Sequence, residues 1–551
     1  MNETETKKNA TKKLLCYLSI PLIIVFFIML SVFVQGSGKR GITVYEQSQS
    51  TTINIENGLA DPLTFSQEIS IPKEASYQLA IEWDVFEPDF IIGCLGRDAN
   101  GKIAFAFTAA QIKNSNTLPI KEGTFQVEYH ILSNEADYRQ FAKEYELFKS
   151  DSDLDTMISQ IDFSSFDPNG EWTLTHSLQV YEIETAGPAA LIATVIVGLL
   201  SIVVLFALWL SDRPAGSDLK GLISNIGIRY AAFVMMVSVF QITCIILLRL
   251  FAPELMTTLS SDLNFILIII PVDMIGFPIT LLMCKDIPAE KLPQRSLGLG
   301  KFLLFVMMGA GICGVGGFLG NIVHNLLTSP FGGGGNPIGD LMINAGFPMR
   351  VLAVGILAPI FEELLFRKLL IDRIIKHGEF IAVLMSGLMF GLFHGNFSQF
   401  FYATALGFLW AFVYVRTGKI YYTILLHMVI NLANSAITIF LLGKFMEVCP
   451  NTNDPAVIMQ AMAASPDAGL YIALYVFWTI LLILCGIVGL IILIVFLSTG
   501  KLRLRKSENE LPRSECSKAM FQNLYMLPFF LACIGLFMIN YLPIIIAYLQ
   551  K

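Results

Sequence analysis

Residues 14–34, 190–210, 231–252 and 470–498 are almost uninterrupted apolar runs. Each exceeds the roughly 18–20 residues that carry a helix across about 30 Å of hydrocarbon. A chain with several such runs folds in a bilayer. Composition agrees, because 54% of the 551 residues are hydrophobic and 15% charged, against about 25% charged in an ordinary soluble protein. Mean hydropathy is +0.64.

The full pattern predicts eleven spans, near 14–34, 190–210, 229–252, 264–284, 302–328, 350–372, 380–396, 400–416, 420–443, 470–498 and 527–548. Lys and Arg gather in one set of connections, 211–229, 285–301, 367–376, 416–419 and 501–506. Cytoplasmic loops carry the excess of positive charge, so the N-terminus and these loops are expected in the cytoplasm. The first apolar run covers about 21 residues, beyond the roughly 7–15 of a signal-peptide core. It reads as an uncleaved anchor.

The net charge of −7 hides a division. Residues 36–187 hold 24 Asp and Glu against 10 Lys and Arg, a balance of −14, while the rest of the chain stands at +7. This segment has partly alternating, strand-like runs, Ser76 to Trp83 and Lys102 to Thr108, with a turn signal at Asp98 to Gly101 and one amphipathic helical stretch, Glu135 to Lys149. It reads as an acidic, mainly β extracytoplasmic domain, a sandwich in the simplest arrangement. The fold class expected is therefore mainly α, a polytopic transmembrane helix bundle with a mainly β extracytoplasmic domain inserted after the first transmembrane helix. The parts are 1–35 (N-terminus and anchor), 36–187 (acidic domain), 188–300 (additional spans), 301–445 (a core holding the chemistry below) and 446–551 (an outer loop and two final spans).

Nine cysteines lie scattered without a Cys-x-x-Cys pair, so neither a structural zinc site nor a thioredoxin-like motif is indicated. Cys94 and Cys449 both fall outside, but spacing alone does not pair them. The Gly332 to Gly335 run lacks the Lys-Ser/Thr of a phosphate-binding loop and reads as a linker. Nothing points to nucleic acid as a partner.

Ionisable residues within spans cost roughly 2.5–3.5 kcal/mol each on insertion scales, so each needs a reason to be there. Three groups stand out. The first is Glu362-Glu363-Leu-Leu-Phe-Arg367, just after Pro359. Glu363 and Arg367 are four apart and share a helix face, whereas Glu362 points about 100° away. The second is Phe390-Gly-Leu-Phe-His394, followed by Asn396, and the third is His427-Met-Val-Ile-Asn431, whose two polar residues also share a face. A lone member of either set is more often a snorkelling ion pair or interhelical hydrogen-bond glue. Together, between Glu362 and Asn431, they supply an acid, a base and hydrogen-bond donors.

Glu-Glu-x-x-x-Arg, then Phe-x-x-x-His, then His-x-x-x-Asn, on successive helices over roughly residues 300–445, resembles the motif set of the CAAX prenyl protease and bacteriocin-processing family of intramembrane glutamate endopeptidases. The resemblance implies that Glu362 and His394 activate a water and that His427 and Asn431 form the oxyanion hole. Glu363 and Arg367 match the supporting pair, and Phe390 the aromatic of the second motif. The chemistry is coherent: a shielded carboxylate is a better base than a solvated one, and donors at the developing oxyanion are worth roughly 3–4 kcal/mol each.

No cofactor is required by such a mechanism. Glu362, His394 and His427 could alternatively ligate Zn²⁺, although the compact His-Glu-x-x-His helix is absent. The expected partners are a membrane-associated protein or peptide substrate, the bilayer itself and a ligand of the acidic domain. The setting is a bacterial plasma membrane, where substrates differ from eukaryotic prenylated proteins. Two rival classes are a non-catalytic receptor or immunity and signalling scaffold on the same fold, and a proton-relaying transporter, which internal repeats do not support. One point resists a simple picture. Counting at about 1.5 Å per residue from the cytoplasmic ends puts His427 about 10 Å deep but His394 about 20 Å deep. That gap calls for a later helix start, a tilted helix or an inward cavity.

Overall fold

The computed structural model describes the chain except for residues 1–2, 37–39, 55–64, 72–76, 84–91, 109–122, 133, 149–150, 159–160, 162–170, 184–187, 212–217, 252–261, 263–265, 268–270, 332–341, 344, 449–465, 507–509 and 550–551. The Gly332 run and Cys449 lie outside the described residues. The chain divides into two compact units, one comprising 36–186 and the other the remainder.

Among the described residues the 36–186 unit contains seven strands in two antiparallel sheets. They are β1 (Arg40–Asn54), β2 (Phe65–Ile71), β3 (Tyr77–Trp83), β4 (Ile92–Asp98), β5 (Ile103–Thr108), β6 (Gly123–Ile131) and β7 (Glu171–Ile183). Their order is β1-β7-β3 in one sheet and β2-β6-β4-β5 in the other. The helix preceding β1 is α1 (Glu3–Gly36), and among the described residues α2 (Glu135–Glu144) and α3 (Asp151–Ile158) lie between β6 and β7. Asn134 caps α2 by accepting from the Asp137 N–H at 2.9 Å. The buried face of α2 presents Tyr138, Phe141 and Ala142, and Tyr138 and Thr108 share a hydrogen bond at 2.8 Å. Cys94 is buried here as a free thiol, and burial pushes it well above its usual pKa.

The other unit is helical: α4 (Pro188–Ser211), α5 (Leu219–Phe251), α6 (Phe277–Met283), α7 (Leu299–Thr328), α8 (347–374), α9 (Glu379–Phe393), α10 (Phe397–Thr417), α11 (420–448), α12 (Pro466–Ser498), α13 (Arg513–Phe521) and α14 (Leu527–Leu549). Among the described residues eight helices are long and apolar enough to cross a membrane. The protein is an integral, multi-pass membrane protein, mainly α with the β structure following its first helix.

The spans read from the sequence at 264–284, 350–372 and 380–396 are not among these eight. Residues 347–374 form one helical path, but it alternates between α and π turns and carries six charged side chains from Glu362 to Arg373. α9 has 15 residues, about 22 Å of rise, short of the hydrocarbon thickness. Within 264–284 only part is described, a π turn Pro271–Gly276 leading into α6.

Small residues let the site-bearing helices approach closely, the usual device where apolar burial gives no drive for helix association. A Cβ at Gly407 of α10 would lie 2.7 Å from the Gly387 Cα of α9, and one at Gly316 of α7 would meet the Tyr402 backbone at 2.7 Å. α9 turns into α10 through His394, Gly395 and Asn396. Gly395 has φ +64, a left-handed conformation that a side chain disfavours, and Asn396 caps α10 by accepting from the Gln399 N–H at 2.9 Å.

Candidate active site

Pro359 shapes the helix that carries the two glutamates. In the π turn Arg350–Leu357 the N–H groups reach back five residues instead of four, so the Ala358 N–H donates to the Ala353 carbonyl. The next donor in that register would be residue 359, and proline has no N–H. The Val354 carbonyl thus loses both its α and its π partner. Asn431 Nδ2, from α11, donates to it at 3.0 Å. Burial of an unsatisfied carbonyl would cost about 1–3 kcal/mol, so this one side-chain bond stabilises the irregular turn just before Glu362.

One α turn later Glu363 and Arg367 are both 0% exposed, with Arg367 Nε 3.2 Å from Glu363 Oε2. The i,i+4 pairing expected from the sequence is present. The guanidinium nitrogens make no hydrogen bond among the described residues. Their charge is met by that carboxylate and by two ring faces, Phe390 at 4.3 Å and Trp410 at 5.7 Å from the guanidinium carbon. Arginine suits this position because its delocalised, weakly hydrated cation stacks on aromatic faces.

Glu363 Oε1 receives His427 Nδ1–H at 3.0 Å. A carboxylate only accepts, which fixes the proton on Nδ1 and leaves Nε2 pointing toward Glu362, whose Oε2 lies 3.7 Å away. The imidazole is clamped flat against Trp410, centroids 4.5 Å apart and planes 29° from parallel, and edge-on to Phe390 at 5.8 Å. His394 is fixed by the same logic. Its Nδ1 lies 2.8 Å from the Phe390 carbonyl, which can only accept, so Nδ1–H donates and Nε2 keeps its lone pair. Phe390 meets the His394 ring as well, at 4.8 Å and 87°.

Glu362, Phe390, His394, Trp410, His427 and Asn431 all line one cavity of about 530 Å³. The three motif groups therefore meet, and the apparent depth gap between the histidines closes at the Phe390 ring. A later start for α9 is not the reason, since α9 begins at Glu379. Glu362 is partly exposed, its side chain at 18%, beside a Glu363 at 0%. A second, largely apolar cavity of about 690 Å³ between α7, α11 and α12 shares Tyr402, Asn431 and Ser435 with the first. Among the described residues no group of three His, Cys, Asp or Glu side chains is placed to hold a metal ion.

Trp410 was not among the residues singled out from the sequence. A signal existed: an indole in the middle of an apolar helix has a polar edge and a large flat face to place. Tyr230 and Ser386, whose hydroxyls reach backbone carbonyls of α8, were missed likewise.

Comparison with known proteins concentrates on this same segment. Residues 344–433, which hold Glu362 through Asn431, match the family described as type II CAAX prenyl endopeptidase Rce1-like. Over 85 residues the chain is 35% identical to the Bacillus subtilis (strain 168) protein named "Putative membrane peptidase YdiL". That stretch is 15% of this chain and 35% of that protein, so the chain spans about a third of the relative it matches. No solved structure matches. The resemblance read from the motifs is borne out for this central segment, and a membrane peptidase is the activity class to which the match points.

Proposed function

We propose that this protein is an intramembrane endopeptidase that hydrolyses peptide bonds in membrane-associated proteins or peptides, with Glu362 as general base. The observation that carries the reading is the convergence of Glu362, His394, His427 and Asn431 on one cavity, inside the segment that matches the peptidase family.

In this reading a water held between Glu362 and the His394 Nε2 lone pair gives its proton to Glu362 as its oxygen attacks the substrate carbonyl carbon. Negative charge then grows on the carbonyl oxygen, where His427 and Asn431 donate. Asn431 commits one amide hydrogen to Val354 and retains the second. His427 rests with its proton on Nδ1, held by Glu363, and its Nε2, 3.7 Å from Glu362 Oε2, donates as a transient imidazolium when it shares the proton that Glu362 takes from the water. The buried carboxylate of Glu363 stabilises that imidazolium, and Arg367 keeps Glu363 ionised. Collapse of the tetrahedral intermediate breaks the C–N bond while Glu362 returns its proton to the leaving amine.

The reading needs no metal. It places the N-terminus and the basic loops in the cytoplasm of a bacterium and the 36–186 unit outside, supported by the Lys and Arg distribution. The acidic unit would then recruit or sense an envelope peptide.

The test compares purified wild type and Glu362→Ala on membrane-protein and peptide libraries, reading new termini by mass spectrometry. Wild type is expected to generate termini, in EDTA as in its absence, and Glu362→Ala to lose about 10²–10⁴-fold of that rate. Equal silence from two folded proteins would favour the receptor reading, and loss in EDTA restored by zinc would overturn the metal-free mechanism.

A further inference from the structure

The second π turn of α8, Leu364–Leu369, lies between the glutamate pair and the end of the Arg367 side chain's own turn. It is held from outside. The Leu370 N–H donates to the Arg367 carbonyl rather than to Phe366, its partner four residues back in a regular α turn. Two hydroxyls from other helices supply bonds to the carbonyls this irregular turn presents: Tyr230 Oη of α5 donates to the Leu365 carbonyl at 2.7 Å, and Ser386 Oγ of α9 to the Phe366 carbonyl at 2.8 Å.

Both donors are buried, Tyr230 at 1% and Ser386 at 0% exposure. The Tyr230 ring is wedged between Phe366 at 5.9 Å and Phe529 at 6.4 Å. Its hydroxyl has no solvent to fall back on, and neither has the carbonyl. Tyr230 also lies outside residues 344–433, the segment that matches the peptidase family.

We propose that Tyr230 is a positioning residue for the catalytic machinery: by holding the Leu365 carbonyl it keeps the π turn from rewinding to α, and so keeps Glu363 turned toward His427 Nδ1. This rests on the endopeptidase reading for its consequence in rate, but not for its consequence in geometry. A π turn takes more residues per turn than an α turn, so rewinding Leu364–Leu369 turns Glu362 and Glu363 about the helix axis relative to the chain beyond Leu369, while the i,i+4 contact with Arg367 survives. Without its hydrogen bond from Tyr230, the Leu365 carbonyl gains most by accepting from the Leu369 N–H, which is that rewinding. Glu363 then turns away from α11, and its grip on His427 Nδ1–H loosens. Ser386 acts on the adjacent carbonyl in the same sense.

The experiment is Tyr230→Phe in the full-length protein, which removes one oxygen and keeps the ring. With wild type active, kcat is expected to fall on the order of tenfold, about 1.4 kcal/mol of barrier, with KM unchanged, since the cavity walls stay in place. In parallel, ¹⁵N-histidine NMR of both proteins in micelles, with His427 assigned by substitution, reads which ring nitrogen carries the proton. Wild type is expected to show it on Nδ1, and Tyr230→Phe to spread it over both nitrogens. Ser386→Ala provides the same two readings if Tyr230→Phe does not fold. Unchanged kcat and an unchanged His427 signal in the folded variant would overturn the proposal. If wild type cleaves nothing, the endopeptidase reading fails, and the NMR comparison still decides whether Tyr230 sets the His427 geometry.

Discussion

The two units of this protein treat charge in opposite ways. In the 36–186 unit, Arg97 pairs with Glu128 at 33% and 22% side-chain exposure, and Arg139 spans Glu135 and Asp155 at exposures of 35% to 59%. In the helical unit, Glu363 and Arg367 are 0% exposed, and Arg229 at 0% makes a bidentate pair with Asp286 while also donating to Asn225 and to the Met283 carbonyl. Water solvates the first set of charges and makes each pair nearly optional. The second set is held by protein alone, so each member depends on all its partners. Buried pairs of this kind contribute little net stability, because desolvation offsets attraction. Their presence marks a site where charge is needed.

The sharpest way to break that contrast is to remove one member of the buried pair. Arg367→Met is expected to destabilise the helical unit by about 3–5 kcal/mol, because Glu363 is left buried without its cation. The paired variant Glu363→Leu/Arg367→Met should recover most of that loss in a detergent thermal melt while remaining inactive. A double variant no more stable than the single one would mean that the pair itself holds the fold.

The corresponding change in the acidic unit should hardly register. Arg97→Ala is expected to cost less than about 1 kcal/mol, since a partly solvated pair is screened by water and salt; hydrogen exchange at the β4 and β6 amides of the full-length protein measures it. An effect as large as that of Arg367→Met would erase the distinction between the units.

The smallest effect concerns His130 in β6. Burial lowers its pKa from the ordinary value, Glu128 opposes that, and Arg97 adds to it. The unfolded chain therefore binds this proton more readily than the folded one, so stability rises with pH across the interval between the folded value and 6.5. The contribution is complete above 6.5 and is lost as pH falls below it toward the folded value. His130→Phe should flatten that slope in the exchange of β6 and α2 amides, and an unchanged slope would assign the pH dependence to another group.

Several elements were legible in the sequence because they depend on local spacing. Hydrophobic runs of 21 residues or more announce spans wherever the chain goes next, which is why the bundle was readable. The i,i+4 relation of Glu363 to Arg367 and of His427 to Asn431 lies within one helix, so periodicity finds it. The strands at 77–83 and 103–108 fell within the alternating runs that predicted them. The spans read at 350–372 and 380–396 are not among the eight long apolar helices, because apolar content in a sequence window says nothing about π turns or about a helix that ends at Phe393.

What the sequence by itself determined is the solvent, the order of the three motifs and the pairings within each helix. The tertiary structure alone decided which glutamate holds His427, why Arg367 is tolerated without hydrogen bonds, and how Pro359 and two π turns are stabilised. The physical reason is that these answers belong to groups far apart in the chain: Glu363 meets His427 across 64 residues, Val354 meets Asn431 across 77, and Tyr230 meets Leu365 across 135. Periodicity sorts side chains onto the faces of one helix, but a carbonyl freed by a proline or a π turn is satisfied by whichever donor packing brings to it.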